Sequence, residues 1–173
     1  MKTLLTGVAG TGKSTITKGL CEREIAAIDL HDVPDLFVWR DKSTGNIIPY
    51  SPAHSKGWFD TVDRLCDIEK LEKMLNQHED TVMTGTTSGS NQREFLSLFD
   101  RIILLQCDPR TIVHRMQTRT NKSGYGKTKE EQEDNLAWQK EYDPLLLSYG
   151  AIPVSTAGSL DDTVDRIVRV LRA

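Results

Sequence analysis

Short apolar segments rich in Val, Ile and Leu alternate along the chain with longer amphipathic segments. Apolar runs of this length are typical of strands buried in a parallel sheet, and the amphipathic segments are typical of the crossover helices that cover it. The pattern predicts a three-layer α/β/α fold around a five-stranded parallel sheet, in a single domain over residues 1–173. The predicted strands are Lys2–Thr6, Ala26–Leu30, Thr81–Thr84, Arg101–Cys107 and Ile152–Ser155.

The amphipathic segments predict six helices, and two of them begin with clear start signals. Asp108 precedes Pro109, which places an N-cap before a proline at the first helical position. Ser159 is followed three residues later by Asp162, which approximates a capping box. The predicted helices run from Lys13 to about Glu24, Phe59 to Gln77, Asn91 to Phe99, Pro109 to Arg119, Lys129 to Tyr149 and Leu160 to Leu171.

Two segments interrupt the alternation of strands and helices. Residues 31–57 contain prolines, glycines and several aromatic residues, which predicts an irregular insertion with an aromatic surface. Residues 120–129 are polar and contain glycine between two helices, which predicts a small flexible lid. Long irregular segments inside a domain are usually functional. We therefore expect the insertion to bind the acceptor substrate and the lid to close over the site.

The segment GVAGTGKST begins at Gly7 and matches the phosphate-binding pattern G-x-x-x-x-G-K-[ST] between a predicted strand and a predicted helix. Such a loop is a P-loop: its glycines let main-chain N–H groups curl around phosphate oxygens, and its lysine reaches the β- and γ-phosphates. The sequence therefore predicts a P-loop nucleotide-binding fold that holds ATP, with GTP as the alternative. The expected nucleotide contacts are Gly7, Ala9, Gly10, Thr11, Gly12, Lys13, Ser14 and Thr15.

Oxygen-bearing side chains for Mg²⁺ are predicted at the carboxyl edge of the sheet. The Ser14 hydroxyl is one candidate ligand. The second predicted strand ends in IDLHD, so Asp29 and Asp32 lie at the edge where open α/β sheets bind ligands. Asp32 is preferred for the metal or the acceptor hydroxyl, because Asp29 is expected to point into the sheet. A helix or turn cap is the alternative role for these carboxylates, and His31 is given no role.

Basic residues before and within the lid are the candidate catalytic groups. Arg115 and Arg119 are four residues apart, so we expect them on one helix face, where they would meet nucleotide phosphates or stack on the base. Lys127 lies in the lid. Closing the lid would bring positive charge to the transferring phosphoryl group and exclude water, which favours transfer over hydrolysis.

The candidate acceptor-binding residues lie mainly in the insertion. Trp39 and Arg40, with Lys42, form an aromatic and basic group suited to stacking on a base and pairing with a phosphate. Arg93, after the third predicted strand, is a further candidate for an acceptor phosphate. The alternative for the tryptophans is a small satellite core beneath a long loop.

The P-loop start, the Arg-x-x-x-Arg helix, the short lid and the ending DPLLLSYGAIPVSTAGSLDDTVDRIVRVL together resemble the nucleoside monophosphate kinase superfamily. The resemblance covers residues 1–30 and 81–173. It implies that Arg119 and Arg115 contact ATP and that Lys127 assists transfer. Adenylate kinases carry Asp-Gly where this chain has Thr84-Gly85, and the basic residue after the lid is Lys140 rather than arginine. The TGTTSG run instead resembles the glycine turn of shikimate kinases.

These features predict an ATP- and Mg²⁺-dependent kinase of a small metabolite, most simply a nucleotide or nucleoside. One alternative keeps the fold and changes the acceptor to a hydroxyl compound such as shikimate or gluconate. Another is an ATPase or nucleotide switch with no small-molecule acceptor. Against the switch, the chain has no NKxD guanine signature and no aspartate at the end of an obvious Walker B strand.

Composition narrows the remaining possibilities. A formal net charge of −3 argues against a nucleic-acid binder, which usually has a basic face. The three cysteines lack paired metal-ligand spacing and are interpreted as reduced thiols. No apolar run is long enough for a membrane span, and the start does not resemble a signal peptide. We expect a cytoplasmic monomer or homodimer.

Overall fold

The computed structural model describes residues 1–50, 57–86, 89–120 and 124–173. In the described residues the strands are β1 (Thr3–Thr6), β2 (Ala27–Asp29), β3 (Phe37–Asp41), β4 (Ile47–Ile48), β5 (Val62–Cys66), β6 (Val82–Thr84), β7 (Arg101–Gln106) and β8 (Ile152–Ser155). The α-helices are α1 (Lys13–Cys21), α2 (Trp58–Thr61), α3 (Ile68–Gln77), α4 (Gln92–Ser97), α5 (Pro109–Thr118), α6 (Lys129–Ser148) and α7 (Leu160–Arg172). A short 3₁₀ helix covers Leu30–Asp32.

Five strands form one parallel sheet in the order β2-β6-β1-β7-β8. Their side chains alternate between two separate hydrophobic clusters, as the period of a strand requires. Leu4 of β1 lies in the cluster that contains residues of α3, α4 and α6, whereas its neighbour Leu5 lies in the cluster with α1 and α7. The sheet is thus covered on both faces. The predicted three-layer α/β/α fold and its five strands are confirmed.

The helix starts follow the predicted capping signals. Asp108 accepts a hydrogen bond from the main-chain N–H of Thr111 at the start of α5, and Ser159 accepts one from Asp162 at the start of α7. Helix α6 begins with a full capping box between Thr128 and Glu131. Among the described residues, no helix is long and apolar enough to cross a membrane.

A second sheet contradicts two predictions. Strands β3, β4 and β5 form a three-stranded antiparallel sheet in the order β4-β3-β5. The 31–57 segment is therefore not irregular throughout, because Phe37–Asp41 and Ile47–Ile48 form strands within it. A continuous helix from Phe59 to Gln77 is wrong because residues 62–66 form β5. Helix α3 begins only at Ile68, where the side chain of Asp67 caps it.

A tight turn joins β3 to β4 in the second sheet. The carboxylate of Asp41 accepts hydrogen bonds from the main-chain N–H groups of Ser43 (2.9 Å) and Thr44 (2.8 Å). Gly45 then takes a positive φ of 74°, which costs glycine no steric strain. The turn reverses the chain from β3 into β4. Residues 51–56 of the predicted insertion lie outside the described residues.

Candidate active site

The loop between β1 and α1 lies at the carboxyl edge of the five-stranded sheet, where ligands of open α/β folds bind. Two of its glycines leave no space for a side chain. A Cβ atom on Gly7 would lie 2.8 Å from the carbonyl oxygen of Leu105, and one on Gly10 would lie 2.9 Å from the carbonyl oxygen of Ile112. Gly10 also has a φ of +85°. The loop is therefore seated tightly on β7 and α5.

Lys13 turns its ammonium group back over this loop. Its Nζ donates to two carbonyl oxygens of the loop, the shorter contact being 2.7 Å to Gly7. Burial lowers the pKa of Lys13 to about 8. The carboxylate of Asp29 opposes this shift, and the positive charges of Arg119 and Arg64 add to it. A partly desolvated ammonium group beside other cations favours an anionic ligand.

The other predicted nucleotide contacts are placed differently from one another. The main-chain N–H of Ala9 donates to Oδ1 of Asn135 at 3.1 Å, which does not support a contact between this group and a phosphate. Thr11 is buried, and its hydroxyl donates to the carbonyl oxygen of Val8 at 2.8 Å, so it holds the loop's shape. Ser14 and Thr15 are exposed in the first turn of α1. The N–H groups of a first helical turn have no partners within the helix and suit phosphate oxygens.

Ser14 is joined to Asp29 across the sheet edge. The Ser14 hydroxyl donates to Oδ2 of Asp29 at 2.8 Å, and Oδ1 of Asp29 accepts from the main-chain N–H of His31 at 3.0 Å. The His31 ring nitrogen Nδ1 also lies 3.0 Å from Oδ1. Although burial opposes the shift, the hydrogen bonds from His31 and Ser14 lower the pKa of Asp29 to about 2. Asp29 is therefore an ionised carboxylate beside the P-loop.

The expectation that Asp29 points into the sheet is wrong. It is the last residue of β2, and its carboxylate faces the first turn of α1. Asp32 lies in the following 3₁₀ helix and is exposed. The geometry thus favours Asp29 over the predicted Asp32 as the carboxylate nearest Ser14. His31, which sequence reasoning gave no role, is one of the groups that hold Asp29.

The two predicted arginines contact different parts of the site. The guanidinium group of Arg115 donates to Thr156, after β8, through its hydroxyl (3.1 Å) and its carbonyl oxygen (2.8 Å). Arg119 follows the last residue of α5 and donates to the carbonyl oxygen of Tyr125 in the predicted lid. Its positive charge acts on Lys13. Arg119 therefore contacts the predicted lid and adds positive charge near Lys13, while Arg115 braces the loop after β8.

Lys127 is placed differently from the prediction. Its ammonium group donates to the carbonyl oxygens of Gln117 (2.9 Å) and Arg119 (2.7 Å) at the carboxyl end of α5. Cations near the last turn of a helix satisfy carbonyl groups there and complement the helix dipole. In this arrangement Lys127 caps α5, which does not support a direct role in transfer. Residues 121–123 of the predicted lid lie outside the described residues.

The predicted acceptor residues are divided between opposite faces of the second sheet. Successive residues of a strand point to opposite faces, so Trp39 and Arg40 of β3 cannot form one group. Trp39 packs against the rings of Trp58 and Phe59, at centroid distances of 5.0 and 5.6 Å. Arg40 instead pairs with Asp63 at 3.3 Å on the other face. The prediction of a compact aromatic and basic group is wrong.

Arg93 is exposed on α4, and its role remains a prediction.

Arg64 of β5 is a candidate site residue that the sequence reasoning missed. It shares a sheet face with Trp39, donates to the Thr86 hydroxyl at 2.7 Å and lies 4.0 Å over the ring of Phe37. Burial lowers its pKa to about 10. Thr86 follows β6 at the same sheet edge as the P-loop. The turn KSTGN after FVWRD was an available signal for the β3–β4 hairpin, whereas Arg64 lies in β5, which pairs with the other side of β3.

A family model described as an AAA domain matches residues 4–136 of this chain. No curated protein is similar to the chain at a significant level. Among solved structures, a shikimate kinase from Acinetobacter baumannii in complex with shikimate has a TM-score of 0.65 and 18% sequence identity, over 99% of this chain and 92% of that one.

Two further solved structures have the same fold. A gluconokinase from Sinorhizobium meliloti 1021 has a TM-score of 0.58 and 16% identity, over 99% of this chain and 91% of that one. A deoxyadenosine kinase from M. mycoides with bound dATP has a TM-score of 0.60 and 15% identity, over the full length of both. At these identities the likeness establishes the fold, which is that of P-loop kinases.

Proposed function

The chain belongs to the AAA-domain family of P-loop proteins, and we propose that it is an ATP- and Mg²⁺-dependent phosphotransferase acting on a small molecule. The observation that carries this proposal is the convergence of Lys13, Ser14 and Asp29 beside the P-loop. The acceptor oxygen would attack the γ-phosphorus of ATP while the bond to the β-phosphate oxygen breaks. ADP then leaves, and the acceptor's proton passes to solvent.

The donor side is assigned to the P-loop. Its main-chain N–H groups and Lys13 would hold the β- and γ-phosphates. The Ser14 hydroxyl and the ionised Asp29 carboxylate are hard oxygen donors 2.8 Å apart, which suits Mg²⁺ held by one or two protein groups and by substrate phosphates. When bound, Mg²⁺ supplies positive charge to the phosphates. In the described residues, no group of three or more His, Cys, Asp or Glu forms a separate metal site.

Arg119 is assigned to the transferring phosphoryl group. Its hydrogen bond to the Tyr125 carbonyl ties it to the lid, and its charge already acts on Lys13. Lid closure would therefore move this cation with the segment that excludes water. Positive charge on the transferring group is the main catalytic contribution that a protein makes to phosphoryl transfer.

The acceptor is assigned to the face of the second sheet that carries Phe37, Trp39 and Arg64. Aromatic rings on this face suit a nucleotide or nucleoside, since a base would stack on them. The deoxyadenosine kinase of similar fold agrees with this choice. A second candidate is a hydroxyl compound that bears an anionic group. Arg64 beside Thr86 favours it, as do the gluconokinase and shikimate kinase of similar fold.

A coupled assay of ADP release tests the proposal. Mg·ATP is supplied with nucleoside monophosphates, nucleosides, and hydroxylated compounds with and without a carboxylate, alongside a reaction without acceptor. We expect one acceptor class to stimulate ADP release, and Lys13→Ala to abolish it. Release that is independent of any acceptor would instead support an ATPase or nucleotide switch and overturn the kinase proposal.

A further inference from the structure

Asn135 is a polar residue inside the core of the molecule. It lies in the second turn of α6 with a side-chain exposure of 1%. Its Oδ1 accepts from the main-chain N–H of Ala9 at 3.1 Å, and its Nδ2 donates to the carbonyl oxygen of Ala9 at 3.0 Å. One amide side chain therefore satisfies both main-chain polar groups of a single P-loop residue. Burying a polar group without a hydrogen bond lowers the stability of the folded state. The two hydrogen bonds with Asn135 therefore fix the position of Ala9.

The N–H of Ala9 is directed to α6 by this pair. The next residue, Gly10, packs against the carbonyl oxygen of Ile112, so the middle of the P-loop is held between α5 and α6. The segment from Gly12 onward then opens α1 and presents its N–H groups at the sheet edge. Fixing the middle of the loop reduces the number of conformations that the phosphate-binding part must lose when a nucleotide binds.

The same helix face also holds the base of the lid. Gln132 lies three residues before Asn135, so the two side chains lie on one face of α6. Gln132 is buried, donates to the carbonyl oxygen of Gly126 at 3.0 Å and accepts from Gln117 of α5 at 3.3 Å. Through adjacent turns, α6 thus contacts both the lid and the phosphate loop.

We propose that Asn135 is a positioning residue that preorganises the P-loop for nucleotide through Ala9 and, with Gln132, couples that loop to the base of the lid. The inference rests on the proposed function only in so far as the loop binds a nucleoside triphosphate. It assigns Asn135 no contact with substrate. Its effect is on nucleotide affinity, and the chemical step at saturation is left close to that of the wild type.

Calorimetric titration of Mg·ATP into the whole protein tests this, with Asn135→Leu as the main variant and Asn135→Asp as the second. Leucine has a similar shape but leaves both groups of Ala9 unsatisfied, whereas aspartate keeps the acceptor for the Ala9 N–H and loses the donor to its carbonyl oxygen. We expect ATP affinity to fall about tenfold in the leucine variant and by a similar factor in the aspartate variant. The KM for ATP should rise in parallel, with kcat within threefold of wild type.

Gln139→Leu is the matched control. Gln139 lies one turn further along α6 and donates to the carbonyl oxygen of Cys107 at 3.0 Å, after β7 rather than in the P-loop. The Gln139→Leu variant loses the same kind of amide-to-carbonyl hydrogen bond as Asn135→Leu, and it should bind ATP as the wild type does. If Asn135→Leu or Asn135→Asp lowers the melting temperature but leaves ATP affinity within twofold of wild type, Asn135 has a packing role only and the proposal is overturned.

A double-mutant cycle tests the coupling to the lid. We expect Gln132→Leu to weaken ATP binding about threefold in the wild-type background and to have no further effect when Asn135 is already leucine. Additive losses would overturn the coupling and leave the positioning role of Asn135 in place. A wild-type protein that binds no nucleotide would instead overturn the proposed function itself, so the failures are distinguishable.

Discussion

At the scale of single residues, the charge state of Lys13 determines how nucleotide affinity depends on pH. Burial lowers its pKa to about 8 in the ligand-free protein, and a bound phosphate must raise it, because an adjacent anion favours the ammonium form. Below pH 8 the lysine is already charged and affinity is at its maximum. Above pH 8 affinity should fall, by up to about tenfold per pH unit, until the pH reaches the pKa of the complex.

Titration calorimetry with Mg·ATP between pH 7 and 9.5, in buffers of different ionisation enthalpy, would measure this proton uptake. Lys13→Arg is the control, because arginine stays charged throughout this range. Its affinity should be nearly independent of pH even if it is weaker overall. A wild-type affinity that is equally flat would show that Lys13 is charged before the nucleotide binds.

Asp29 and Asp32 are two carboxylates, three residues apart, with different surroundings. Asp29 accepts from Ser14 and His31 and is half-buried, whereas Asp32 is exposed. We expect Asp29→Asn to lower kcat about a hundredfold or more and to raise the Mg²⁺ concentration needed for half-maximal activity. Asp32→Asn should change either quantity less than threefold. Steady-state rates over a Mg²⁺ titration compare the two variants, and a larger loss in Asp32→Asn would restore the sequence-based preference.

At the scale of secondary-structure elements, the second sheet decides which basic side chains face the site. Arg64 of β5 and Arg40 of β3 lie on opposite faces of adjacent strands. Arg64→Met should raise the KM for the acceptor at least tenfold while leaving the KM for ATP within threefold. Arg40→Met removes a partly exposed pair with Asp63, worth about 1 kcal/mol of stability or less, and should leave both constants unchanged.

Initial-rate measurements with the acceptor found in the ADP-release assay would check this pair of variants. The two substitutions are chemically identical and are made in neighbouring strands, and they differ in the sheet face that each one changes. An equal effect on the acceptor KM in the two variants would remove the assignment of the acceptor to the Arg64 face.

The buried strands of the five-stranded sheet could be predicted from the sequence, whereas strands β3 and β5 of the second sheet could not. Strands such as β7, with RIILLQ nearly all buried, are recognisable because a strand covered on both faces is a continuous apolar run. Strands β3 and β5 contain Arg40 and Asp63, which face each other across the sheet. Each charge breaks the apolar pattern of its own strand, and their pairing depends on residues more than twenty positions apart. Local periodicity does not contain that information.

The part of the candidate site that is a local motif could be predicted from the sequence, and the contacts between distant elements could not. The P-loop is a local motif, so Lys13 and Ser14 could be read from the chain directly. Asp29 was placed at the correct sheet edge by the end of its strand, but its hydrogen bond to Ser14, the contact of Arg64 with Thr86 and the contact of Asn135 with Ala9 join distant parts of the chain. These contacts require the tertiary arrangement. Arg119 was identified because it follows a helix that is itself predictable, although its hydrogen bond to Tyr125 was not.

At the scale of the whole molecule, the P-loop touches β7, α5 and α6 and opens α1, so nucleotide binding acts on both helical layers. A ligand that binds only the folded state at a hundred times its Kd stabilises that state by about 2.7 kcal/mol. For a domain of 173 residues this corresponds to a rise in Tm of about 5–10 °C.

Thermal unfolding followed by circular dichroism, with and without saturating Mg·ATP, measures this shift. Lys13→Ala should unfold near the wild-type temperature without ligand and show almost no shift with it, because the loop keeps its shape but loses its charge. Asn135→Leu should differ in both respects, with a lower Tm alone and a smaller shift at the same ATP concentration. A full shift in Lys13→Ala would mean that ATP stabilises the protein from a site other than the P-loop.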